Sequence, residues 1–151
     1  MIKPKLILFI ITGLLLFSQC KKDNENWTYC VDCDINSWVG SYEGTGVYYS
    51  DVDGKTVNDI PTLVTIDSSS ATILKTIITV ENHFSTLFTI NKTNDDYYVN
   101  VPGSSQSLAL TLSKKGISYK LSGTVKIFHY QADTLFTDHS ISFETFKISD
   151  N

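Results

Sequence analysis

From Trp38 onward apolar and polar residues alternate with a period of two, and Thr, Val, Ile, Tyr and Phe dominate. That period places successive side chains on opposite faces of a strand, and no segment carries a credible 3.6-residue helical repeat. Residues 108 to 127 show it best. Leu108, Leu110 and Leu112 alternate with polar residues, Lys115-Gly116 supplies a turn, and Ile117, Tyr119, Leu121, Val125 and Ile127 resume the alternation. A two-residue loop at Lys115-Gly116 sets Leu112 opposite Tyr119 and Leu110 opposite Leu121 on one face, a match that a three-residue loop would break. Gly123 interrupts the inward row and predicts a bend or bulge.

The same pattern predicts strands over 38–50, 57–67, 72–80, 84–91 and 97–101, then a last pair ending with Ile141, Phe143, Phe146 and Ile148. Asp51-Val52-Asp53-Gly54 and Asp67-Ser68-Ser69-Ser70 read as turns. A phase slip between Phe143 and Phe146 predicts a bulge around Glu144-Thr145. Short antiparallel strands with tight links make the domain all-β, an antiparallel up-and-down barrel or sandwich of about eight strands.

Ahead of this domain a twelve-residue apolar run, Leu6 to Phe17, follows Lys3 and Lys5. A helix needs about 20 residues to cross a bilayer, whereas a basic start and a short apolar run describe a secretory signal. Leu16-Phe17-Ser18-Gln19-Cys20 resembles a bacterial lipobox. The resemblance implies that residues 1–19 are removed and that Cys20 carries the lipid, palmitate among its acyl chains, and holds the protein on a membrane. Lys22-Asp23 is similar to the signal that sends some outer-membrane lipoproteins to the cell surface. A signal cleaved without lipidation and an uncleaved anchor are the alternatives.

Loss of residues 1–19 removes Lys3 and Lys5 from 12 lysines and none of 16 acids, leaving a formal charge of −6. That excess of acid excludes nucleic acid as a natural partner. The chain has no arginine, the side chain best suited to grip carboxylate or phosphate with two parallel hydrogen bonds. The 132 residues from Cys20 onward suffice for one core, since a domain of this size buries roughly 65% of its unfolded surface.

Residues 20–36 are polar and acidic and read as a tether, with the all-β domain spanning 37–151. Within the tether lie Cys30 and Cys33. In an oxidising compartment, with Cys20 lipidated, they form an even pair suited to a disulfide. Closing so short a loop stabilises by about 2 kcal/mol. A zinc site would need Asp32, Asp34 or distant histidines as further ligands, and a redox motif would need a flanking strand and helix.

Trp38-Val39-Gly40-Ser41-Tyr42 resembles the opening strand of lipocalin-like, calycin-type barrels, and glycines at 40, 44 and 46 fit a strand approached closely by another backbone. The resemblance implies a barrel that holds a small apolar molecule. Those families set a late arginine against the first-strand aromatic, and here Lys147 is the residue near that place.

Asp138-His139-Ser140 contains the residue types of a hydrolytic triad, yet neighbours on a strand face opposite ways, so no catalytic site is expected. Asp51-Val52-Asp53-Gly54 resembles half a calcium loop, but Tyr49 and Ile60 occupy its first and twelfth positions, and no metal or other cofactor is expected. His139 shares parity with Ile141, and His129 with Val125 and Ile127, so both, with Tyr119, are candidates to line the barrel. The expected protein is a non-enzymatic binding module for a small apolar ligand or a protein partner. The alternative is an inhibitor of a secreted or host hydrolase, acting through Ser50–Asp59 or Asn91–Asp96.

Overall fold

Residues 26–92 and 97–150 are described by a computed structural model. The expected signal segment 1–19, Cys20 and the first part of the expected tether lie outside these residues. The elements in chain order are β1 Thr28–Tyr29, α1 Ile35–Trp38, β2 Gly40–Ser50, β3 Lys55–Ser70, β4 Ile73–Val80, β5 Phe84–Asn91, β6 Tyr98–Val101, β7 Gln106–Lys115, β8 Ser118–Gln131 and β9 Thr134–Ser149. The chain is all-β.

All nine strands join one antiparallel sheet in the order β1-β7-β8-β9-β2-β3-β4-β5, with β6 alongside β7. From β2 to β5 and from β6 to β9 each strand pairs with its sequence neighbour, and β2 pairs with β9. The sheet is not closed, because β5 and β6 do not pair. It nonetheless curls around one core. Phe84 of β5 stacks on His139 of β9, ring centres 5.1 Å apart, although three strands separate them, and Thr86 donates to Gln106 Oε1 across the seam at 3.2 Å.

The inward row is apolar because the period-two pattern puts it there. Val64, Leu74, Ile78, Leu112, Leu121 and Ile141 are each fully buried. The β7–β8 hairpin is present, but its two-residue loop is Gly116-Ile117, which places Leu112 opposite Leu121 and Lys114 opposite Tyr119. Gly116 takes the left-handed conformation, φ 57°, that glycine supplies most cheaply to such a loop. The shift changes the partners but keeps the inward face, since partners move by two.

Two expected irregularities resolve differently. Gly123 carries no bulge; it pairs with Phe143, whose ring would lie 2.8 Å from any added Cβ. At Glu144-Thr145 the strand stays in phase. Thr145 takes the inward place, donating its hydroxyl to the Leu121 carbonyl at 3.0 Å, while Phe146 and Ile148 face outward and are half exposed. The bulges in β9 lie elsewhere, at Asp138 between the pairs Ile127–His139 and Phe128–Thr137, and at Ile148 between the pairs Ser41–Ser149 and Tyr42–Lys147.

One end of the barrel, the floor, is built from the segment expected to be a loose tether. Among the described residues packing already includes Trp27, against Phe146 at 5.7 Å, well before residue 37. Cys30 and Cys33 are joined in a disulfide, both buried, and the Cys30 amide donates to the Leu112 carbonyl at 3.0 Å. Asp34 caps α1 by accepting from the Ser37 amide and hydroxyl, each at 2.9 Å, and these bonds hold its carboxyl below the ordinary range. Trp38 then closes the floor, fully buried, with the Tyr42 hydroxyl donating to its carbonyl at 2.9 Å. Burial pushes that hydroxyl far above the ordinary tyrosine range.

Candidate functional site

The opposite end of the barrel carries the polar chemistry. Here lie the top of β2, the Asp51–Gly54 turn, the turn from β4 into β5, and the β8–β9 hairpin, which runs past the first residue of β7. Asp51 fastens the first of these to the last. Its amide donates to the Thr137 carbonyl at 2.9 Å, and its carboxylate accepts from the Thr137 amide at 2.6 Å and from the Tyr49 hydroxyl. The Tyr49 bond is the main reason the Asp51 carboxyl is lowered and the Tyr49 hydroxyl raised.

Inside the mouth, Tyr48 is 1% exposed and its hydroxyl meets His139 Nδ1 at 2.8 Å. Burial raises the Tyr48 hydroxyl above its usual value, and the phenol can donate to or accept from Nδ1 according to the tautomer of the ring. His83 lies against the Tyr48 ring, 4.0 Å between centres, and Phe84 completes the cluster. Next to it an open depression of about 300 Å³ is lined by Ser50, Val52, Asp53, Ile127, Asp138 and His139.

His139 therefore faces inward at the mouth. His129 is exposed: it stands on the part of the hairpin beyond the β7 partner of Ile127, stacked on Phe136 at 5.7 Å and 2.7 Å from Asp138. The inward parity of β8 reaches it, but the barrel wall has ended. Tyr119 lies at the floor, half-buried, under the Lys147 ammonium at 5.1 Å. The three residues do not line one cavity.

Asp138, His139 and Ser140 form no relay, since Asp138 pairs with His129 and His139 with Tyr48. Among the described residues the one group with metal-ligand spacing is Cys30, Asp32 and Cys33, and the disulfide occupies both sulfurs. Of the two loops considered for inhibition, Asn91–Asp96 lies largely outside the described residues. In the other, Lys55–Asp59 belongs to β3, so only the pinned turn at 51–54 is loop.

Two features were missed. Lys92 Nζ, not Lys147, stands over the Trp38 ring, at 4.8 Å; it continues the inward parity of Phe88 and Ile90, the signal that could have revealed it. Asp138 as a bulge residue had no sequence signal at all. Comparison of the chain with protein-family models, with curated proteins and with solved structures finds no match.

Proposed function

We propose that this chain is a lipoprotein anchored in the outer membrane through Cys20, whose lipocalin-like barrel is a non-enzymatic binding module that presents its mouth to a protein partner. The observation that carries this reading is the difference between the two ends. The N-terminal segment that would lead to the lipid packs on the floor, and the histidines, the depression and the protruding hairpin stand at the far end.

A protein partner is favoured over a small apolar ligand because inward side chains from β2, β3, β4, β7, β8 and β9 are buried against one another in the barrel. Apolar ligands need roughly 300–1,000 Å³ of enclosed, largely apolar space. The depressions near the mouth and on the outer face of β2–β3 are open to solvent. The inhibitor reading has one observation in its favour. The β8–β9 hairpin projects past the rim with Tyr130 and Leu135 exposed, a shape that can enter a cleft.

The test uses the full-length chain in a gram-negative host. Intact mass of the membrane-extracted product, beside a Cys20→Ala variant, reads the anchor. A photo-crosslinking residue at Val52 or Tyr130, with one at the outward Lys75 as control, reads the partner. Protein adducts at the first two positions and not at the third support the reading. An unacylated mass, or a co-extracted apolar molecule with no adduct, overturns it.

A further inference from the structure

We propose that the floor of the barrel seats directly on a lipid surface, with Ile117 and Ile148 entering the headgroup–acyl boundary; this rests on the lipid-anchor reading above. The first observation is what occupies the tip of the β7–β8 hairpin. Its loop is Gly116-Ile117, and Ile117 is 96% exposed. A β-branched apolar residue gains nothing from a turn, where Gly, Asn, Asp and Ser are favoured, and here it is almost wholly exposed.

The second is that this isoleucine is not alone. Ile148, 56% exposed at the end of β9, flanks the same open depression of about 230 Å³, together with Tyr119, Lys147 and Asp150. Along the same outer face of β9, Phe146 carries Trp27, and the Lys120 ammonium lies 5.3 Å from the Trp27 ring. Apolar tips, an indole and lysines at one level form the side-chain set of a membrane interface, where aromatic rings sit at headgroup depth and lysine stems reach to phosphate.

The third is reach. Six residues lie between Cys20 and Trp27, and the connection spans at most about 25 Å of extended chain. Trp27 packs opposite Lys120, two residues from the floor end of β8. A lipid on Cys20 thus keeps the floor within reach of the bilayer. Three lysines of this end are paired, Lys114 with Asp32, Lys120 with Glu144 and Lys147 with Asp150, so the apolar tips are the main groups offered to a neutral lipid surface.

The experiment places a spin label at Ile117→Cys in the full-length acylated chain reconstituted in phosphatidylcholine vesicles, with Val52→Cys at the far end as reference. Both sites are exposed, and Cys30 and Cys33 are already joined. The expected result is that the label at 117 collides more with oxygen than with a water-soluble nickel chelate, and the label at 52 the reverse. Equal access of the chelate to both labels overturns the proposal. So does dipolar broadening between labels at 117, which would mean that a second copy covers the floor. Intact mass of the same sample separates the causes: an unacylated chain sinks the anchor reading and this one with it, whereas an acylated chain with a water-exposed label sinks only this one.

Discussion

The ammonium of Lys92 stands 4.8 Å above the centre of the Trp38 ring, and both residues are buried, at 7% and 0% exposure. The lysine arrives from just past β5 and the indole from the end of α1, so the contact ties the free edge of the sheet to its floor. A desolvated cation over an indole contributes about 2 kcal/mol. Lys92→Met keeps the stem and removes the charge, and urea unfolding followed by tryptophan fluorescence is expected to show a loss of about 1–2 kcal/mol. Unchanged stability would mean that the stem alone closes the floor.

Tyr48→Phe tests the mouth in the same way. It deletes one hydroxyl and leaves His139 Nδ1 without its 2.8 Å partner. The expected cost is about 1 kcal/mol, and in a His139→Leu background the same substitution is expected to cost close to nothing. Equal costs in both backgrounds would show that the pair is not coupled.

These two contacts also show what the chain discloses before it is folded. Period-two parity found nearly every strand and put His139 on the inner face, because alternation is a local property of strands. It misplaced His129, since parity says which face a residue takes but not where the neighbouring strands stop. It missed the bulge at Asp138, whose extra residue is defined only against β8. The role of the CxxC segment was hidden for a related reason. Polar composition reads as tether, yet Cys30 is buried and its amide donates to Leu112, a strand residue far along the chain.

Gly123→Ala is expected to destabilise by about 1–3 kcal/mol, as overpacking does. A methyl there would lie 2.8 Å from the Phe143 ring and 2.7 Å from Leu110 Cδ2. Adding Phe143→Leu should recover part of the loss, because the contact removed belongs to the end of a side chain. Chemical denaturation of the single and double variants reads both. No recovery would assign the strain to the Ala109 carbonyl, also 2.8 Å away.

Acid should loosen the floor through Asp34. Its folded-state carboxyl is held below the ordinary value of 3.8, first by the Ser37 hydroxyl and then by the Ser37 amide. A depressed carboxyl contributes stability that is present above the unfolded value and lost as pH falls through the folded one. Stability is therefore expected to decline as pH drops below about 4. Asp34→Asn, which can still cap α1 but cannot titrate, should flatten that decline. Identical acid slopes for the two proteins would remove Asp34 from the account.

At the tip of the protruding hairpin, Ala132 and Asp133 both adopt positive φ, 48° and 63°, between the last residue of β8 and the first of β9. A two-residue loop with both residues left-handed is the type I′ turn, whose right-handed twist matches the strands but whose backbone suits Asn and Gly. Alanine pays a steric cost there that glycine avoids, because its Cβ crowds the following carbonyl. Ala132→Asn with Asp133→Gly should therefore stabilise the protein by about 0.5–1 kcal/mol, read as a higher urea midpoint at unchanged slope. The strain sits on the element that would meet a partner, where positive-φ residues tend to persist for function. If the hairpin conformation matters for recognition, the stabilised variant should retain or strengthen crosslinking at Tyr130, since it favours the same turn. A gain in stability with loss of the adduct would instead assign recognition to the Ala132 and Asp133 side chains themselves.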